Sequence, residues 1–238
     1  MHSLVINTLR RSTNLALMTT VVLATVLFAA RTANTQQLQR GVSVQLAPTS
    51  NALPMPAADN ENAWIVAITA DGKMYFGIDP VDPASLADAM KRRARNREQK
   101  LYIKADARTP FANVERVLEV GRRALFDAPV LLTSQPVSPQ GVTVAPRGLM
   151  VLLGAPAGME SIGVQLLMSG QQSPVVKIGN EQVPWAALQS KLSATLPHTN
   201  DKAALIRADG QLPFGQVARV LDACAAAGFR TVLVTPEL

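Results

Sequence analysis

IKADARTPFANVERVL at residues 103–118 returns, 103 positions on, as IRADGQLPFGQVARVL at residues 206–221. Both stretches run Ile-basic-Ala-Asp, then Pro-Phe, then Val and Arg-Val-Leu. Asp106 thus matches Asp209, Pro110 matches Pro213 and Phe111 matches Phe214. A self-match at one fixed offset is the signature of a duplicated structural unit. The repeat extends upstream, where Gly77–Leu86 faces Gly179–Leu188 and RGVSVQLAP (Arg40–Pro48) resembles RGLMVLLGAP (Arg147–Pro156). Downstream, Pro129–Thr133 answers Thr231–Thr235. The chain therefore reads as two tandem copies, residues 40–136 and 147–238, joined by a proline-bearing linker over 137–146. Each copy has the size of a small domain.

Each copy reads as α+β. In the first, Val66–Thr69, Met74–Phe76, Leu101–Lys104 and Val130–Thr133 are short strand-like runs between turn residues. Asp82-Pro83 has the form of a cap followed by a first helical proline, with Leu86 and Met90 at helical spacing after it. Thr109-Pro110 repeats that start and places Val114, Val117, Leu118, Gly121 and Leu125 on one face. Val217, Val220, Leu221, Cys224 and Ala225 make the same face in the second copy. Gly228 falls where a left-handed helix end is expected, with Phe229 folding back. The expected architecture is two helices on one face of a small sheet, twice over. An apolar content of 48% is ample for two cores. The single cysteine, Cys224, excludes an intramolecular disulfide, and its place on the apolar helix face predicts a buried thiol.

Before the repeats, residues 1–12 form a short tail, and Thr13–Ala30 holds no charged residue over 18 positions. At about 1.5 Å per residue such a run just covers a hydrocarbon core of about 30 Å. Arg10 and Arg11 precede it, which favours an inside N-terminus and puts the repeats outside the cytoplasm. A cleaved signal peptide is the competing reading, although Phe28 and Arg31 fit a cleavage site poorly.

With one N-terminal anchor and this duplicated pattern, the chain resembles the ExbD/TolR family of biopolymer transport proteins. The residues that carry the likeness are Ile68–Gly77, the Leu86 helix, Ile103–Glu119 and Ile206–Thr235. The resemblance implies a single-pass inner-membrane protein whose bulk is periplasmic. It further implies work as a dimer within an oligomer of an ExbB/TolQ-like polytopic partner, with proton flow driving a TonB-like or TolA-like envelope protein. Two departures follow. The family's membrane helix carries an aspartate that handles the proton, whereas Thr13–Ala30 has only Asn14 and threonines as polar groups, and Asn14 cannot titrate near neutral pH. The chain is therefore expected to be an accessory subunit; the alternative is a secreted or tethered periplasmic binding module. The second departure is the duplication itself, which leaves two expectations, self-association of the chain or pairing of the two copies within one chain in imitation of the family's dimer.

The remaining features point away from catalysis. Asp106 and Asp209 are the most conspicuous acids, but each stands between a strand and a helix-opening Pro, where an Asx turn can satisfy main-chain N–H groups. In the second copy the residue before the proline is Leu212, whose side chain cannot cap, so Asp209 is expected to do more of that work. His2 and His198 are far apart in the sequence and leave neither a zinc site nor a histidine triad; no phosphate-binding glycine loop occurs. No metal or cofactor is implied, and an enzyme is not expected. Lys91–Lys100 holds six basic residues and one acid. It reads either as a patch for anionic headgroups or cell-wall polymer or, more simply, as a solvated helix end. Trp185 reads as core, and aromatics are too sparse for a nucleic-acid surface.

Overall fold

Ile103 and Ile206 lie on interior strands of two separate sheets, each flanked by a parallel neighbour on either side. A computed structural model describes residues 41–93, 98–134, 145–154, 157–170, 172–195 and 201–235, all within the unit Gly41–Leu238. Thr13–Ala30, Asn14, His2, His198 and most of the linker lie outside the described residues. Among the described residues no helix is long and apolar enough to cross a membrane.

The first half runs β1 (Leu53–Pro54), β2 (Trp64–Ile68), β3 (Met74–Phe76), β4 (Asp79–Val81), α1 (Leu86–Arg92), β5 (Leu101–Ala105), α2 (Phe111–Arg123) and β6 (Val130–Thr133). After β7 (Arg147–Met150), the second half runs β8 (Glu160–Ser169), β9 (Gln172–Ile178), β10 (Glu181–Val183), α3 (Leu188–Ala194), β11 (Lys202–Ala208), α4 (Phe214–Ala226) and β12 (Arg230–Leu233). The sheets are ordered β1-β7-β6-β5-β2-β3-β4 and β10-β9-β8-β11-β12. The repeat is visible in the register. Val66 pairs with Ile103 as Val164 pairs with Ile206, both in parallel, and each trio of parallel strands carries an antiparallel hairpin on one side.

β7 departs from the sequence-level boundary. It opens the second copy in the sequence, yet it pairs antiparallel with β6 and completes the first sheet. Two residues later Leu152 bridges to Val232 of the second sheet. Its N–H donates to the Thr231 carbonyl at 2.8 Å, and its carbonyl accepts from the Leu233 N–H at 3.0 Å. One short extended segment thus ties the two sheets together. Nor are there two cores. A single cluster takes Leu86, Met90, Ile103, Phe111 and Leu118 from the first half and Leu188, Leu192, Ile206, Phe214 and Leu221 from the second. All the helices therefore contribute to the face that carries Ile103 and Ile206. A small satellite on the other face of the first sheet joins Met55 and Ala58 to Tyr102, Val130 and Leu132.

Several helix ends differ from the sequence reading. α1 begins at Leu86 rather than Pro83; residues 83–85 form a turn instead, with the Ser85 N–H on the Asp82 carbonyl (2.9 Å) and the Ala84 N–H on the Asp82 carboxylate (2.8 Å). α2 stops at Arg123, so Leu125 is not on its apolar face. It is 75% exposed with φ 61°, and Phe126 is the residue that turns back into the core. Gly228 holds the equivalent left-handed position after α4, with φ 76°, and the buried Phe229 follows it. Each Phe N–H closes the helix by donating five residues back, to Gly121 and to Cys224. Cys224 itself is fully buried, and burial pushes its thiol up to about 12. Lys91 and Arg92 stand in the last turn of α1, where cations suit the helix dipole. Arg93 stacks over Trp64 and Phe76 at 5.4 and 5.3 Å, and residues 94–97 of the basic run lie outside the described ones. Trp185 begins a short 3-10 turn, Trp185–Ala187, half-buried, with its indole N–H on the Pro174 carbonyl at 2.9 Å.

Candidate functional site

The repeated Asp-x-x-x-Pro-Phe segments come together, and they do so reciprocally. Pro110 and Pro213 form an antiparallel bridge. The Phe111 N–H donates to the Leu212 carbonyl at 2.8 Å, and the Phe214 N–H donates to the Thr109 carbonyl at 2.8 Å. One residue further, Ala112 donates to Gly210 at 2.9 Å and Gly215 donates to Ala107 at 2.8 Å. Since 109 and 212 are the same repeat position, as are 107 and 210, the four bonds are related by a local two-fold axis.

This exchange explains how the helices start. An α-helix leaves its first N–H groups without intrahelical partners, and a side-chain oxygen ordinarily takes one of them. Neither α2 nor α4 has a side-chain cap; Pro110 and Pro213 stand at the cap positions with extended ψ of 136° and 133°. The free N–H groups at Phe111, Ala112, Phe214 and Gly215 are taken up by carbonyls of the opposite repeat. Leu212 can therefore serve where a polar cap is expected, because its carbonyl is used and its side chain is buried. Asp209 is relieved of the extra capping that the sequence assigns to it. Phe111 and Phe214, the first residues of the two helices, are buried in the shared core. The Thr109 hydroxyl, also buried, accepts from the Asn113 side-chain amide at 3.0 Å.

The two aspartates share a turn and differ in everything else. Asp106 Oδ1 accepts from the Arg108 N–H at 3.0 Å, and Asp209 Oδ1 accepts from the Gln211 N–H at 2.9 Å, an Asx turn in each case. Asp106 is buried and takes three further bonds. They come from Arg108 Nε (2.8 Å) and Nη2 (2.9 Å) and from the Gln45 N–H (2.9 Å), which fastens the segment before β1 to the end of β5. The Arg108 guanidinium holds the Asp106 carboxyl well below the usual carboxylate range. Asp209 has Gln211 where Asp106 has Arg108, and it lies close enough to Glu115 of α2 to act on it. Burial, with the Asp209 charge second, pushes the Glu115 carboxyl up. The two carboxylates are engaged by different partners, Arg108 and Gln45 at Asp106 and Gln211 at Asp209. Gln45, Arg108 and Glu115 are the participants that the sequence did not mark. Of the three, Arg108 alone had a visible signal, since Gln211 stands at the same position of the second copy.

Among the described residues no cluster of three or more metal-ligating side chains occurs. The site joins the two repeats through four reciprocal main-chain hydrogen bonds. The sequence matches the family described as Biopolymer transport protein ExbD/TolR over residues 9–136 and again over residues 138–237. The chain belongs to the ExbD/TolR family and carries two tandem matches to it. Members are non-enzymatic energy-transducing transport proteins, typically associated with the inner membrane, and generally work with ExbB/TolQ and TonB/TolA partners. No curated protein and no solved structure matches the chain.

Proposed function

We propose that this chain is a single-pass inner-membrane subunit of a biopolymer-transport or envelope-energising complex. Thr13–Ala30 is its anchor, and the paired repeats stand in the periplasm. The observation that carries the reading is the family match, which begins at residue 9, ahead of the apolar run, and continues through both repeats. An ExbB/TolQ-like polytopic protein is the partner of the anchor, and a TonB-like or TolA-like protein is the partner of the periplasmic part. The subunit is accessory. An intramembrane carboxylate marks a proton path, and Thr13–Ala30 contains none; Asn14 can hydrogen-bond but cannot carry the proton. The pairing of the two repeats takes the place of a dimer of single-domain chains.

The test is to solubilise native membranes mildly, capture the full-length chain through a C-terminal tag and identify its companions by mass spectrometry. An ExbB/TolQ-like protein in stoichiometric amount, with residues 1–30 retained, is the expected result. A mature chain starting near residue 31, alone in the soluble fraction, overturns it. That outcome would favour the second reading, a periplasmic binding module detached from proton flow, which the missing carboxylate supports.

A further inference from the structure

The junction is two-fold in its main-chain bonds and not in its side chains. A Cβ placed on Gly215 would lie 3.2 Å from the Ala107 Cβ and 3.2 Å from its carbonyl oxygen. Across the axis, a Cβ on Gly210 would lie 3.1 Å from the Ala112 Cβ and 3.2 Å from Glu115 Oε2. Positions 107 and 210 are equivalent, as are 112 and 215. The first repeat therefore presents a methyl group at both positions and the second at neither, so each contact holds one methyl.

The glycines are not there for their backbone. Gly72, Gly77, Gly158, Gly170, Gly179 and Gly228 have left-handed φ, and Gly210 and Gly215 do not. Gly215 is the second residue of α4, where alanine is ordinarily the better helix former. A side chain at either place would press on the other repeat more tightly than an ordinary contact, and its neighbour would have to give by a few tenths of an ångström. Ala112 carries a Cβ at the place equivalent to Gly215, beside the Gly210 carbonyl, so what distinguishes Gly215 is the Ala107 methyl facing it.

We propose that Ala107, Ala112, Gly210 and Gly215 form a steric key that restricts this interface to unlike repeats. Two first repeats facing each other would bring methyl against methyl at both contacts. Two second repeats would leave both contacts unfilled, with the loss of attraction that a void entails. The partner that the first repeat fits carries glycine at both positions. Within this chain that partner is its own second half, and the first half of a neighbouring chain is refused.

A cycle of variants on the full-length chain tests the key, with thermal unfolding followed by tryptophan fluorescence. One variant is Gly210→Ala with Gly215→Ala, one is Ala107→Gly with Ala112→Gly, and the third carries all four changes, moving both methyls to the second repeat. The Gly→Ala pair is expected to lower Tm by roughly 2–12 °C, as overpacking does. The fourfold exchange is expected to recover at least half of that loss. A Gly→Ala pair at or above the parent Tm overturns the proposal. So does a fourfold variant whose loss equals the sum of the two pairs. Should the Gly→Ala pair fail to fold, the fourfold variant decides: folded, it supports the key, and unfolded, it refutes it.

Discussion

Asp106 and Asp209 hold one position of the repeat, yet replacing each with alanine has unequal consequences. The buried Asp106 carboxylate accepts four hydrogen bonds, two from the Arg108 side chain and two from the Arg108 and Gln45 main-chain N–H groups. Arg108 is 66% exposed, so its guanidinium rehydrates when released, and the ion pair by itself contributes at most about 1 kcal/mol. The two main-chain donors matter more. A hydrogen bond to a charged acceptor contributes about 1.5–3 kcal/mol, and part of the loss is made up by water at this part-buried place. Together these give about 2–4 kcal/mol for Asp106→Ala. Asp209 accepts one exposed bond, from Gln211, and its removal also relieves Glu115, so Asp209→Ala costs about 0–1 kcal/mol. At about 2–4 °C per kcal/mol for a unit of this size, Asp106→Ala lowers Tm by about 4–16 °C and Asp209→Ala by less than about 4 °C. Differential scanning calorimetry of the full-length variants at pH 7 reads both. The Asp106 carboxyl is depressed on folding, so its contribution is complete above the ordinary aspartate value of about 3.9 and fades as pH falls through the lowered one. The gap between parent and Asp106→Ala must therefore narrow in strong acid. Equal losses for the two variants at pH 7 would refute this account of the site.

Leu125→Gly should stabilise the protein. A non-glycine residue at φ 61° costs about 1–2 kcal/mol, the side chain is mostly solvated, and glycine returns about 0.4–1 kcal/mol of that through the unfolded chain. A rise of about 1–4 °C in Tm is expected, and a fall would show that Leu125 has a contact of its own to lose. Glu115→Gln should stabilise at neutral pH and not in acid. Burial first and the Asp209 charge second raise the Glu115 carboxyl, while Glu119, one turn on, is held by Arg122 and Arg123. The folded state therefore binds the extra proton between the ordinary glutamate value of about 4.3 and the raised one, and stability falls as pH rises through that window. Tm of the variant minus that of the parent, compared at pH 7.5 and pH 4, should be positive and then close to zero; the same difference at both values would sink the assignment.

The elements themselves were open to reading because their signals are local. Met74–Phe76 and Val130–Thr133 lie where β-rich runs between turns place them, and Gly228 marks the end of α4 through its own φ. Leu125 misled because leucine at helical spacing is an apolar signal in any window. Nothing in the residues near it says that the chain has already left the helix. The shared core and the destination of β7 were hidden for a different reason. Strand pairing depends on which edge is free, and the free edge next to Arg147–Met150 belongs to β6 of the first half. At the junction the motif residues were visible but their work was not. The partners of the Phe111 and Phe214 N–H groups lie about a hundred residues away, and they are carbonyl oxygens, which every residue type carries alike. Leu212 in a capping place was the one local anomaly that pointed across the repeat.

The reciprocal bonds at the two helix starts also set an order of events during synthesis. Phe111 and Ala112 leave the ribosome about 100 residues before Leu212 and Gly210 exist. At about 5–20 residues per second this is an interval of about 5–20 s. β6 and β7 follow within that time and complete the first sheet, but until Gly210 and Leu212 arrive the opening N–H groups of α2 are left to water and the seam where α4 will lie is bare. Separate single-domain chains would have to close such a seam by diffusion at whatever concentration the cell supplies. Joined in one chain, the late half arrives at a local concentration in the millimolar range, so each nascent molecule is completed by its own second half.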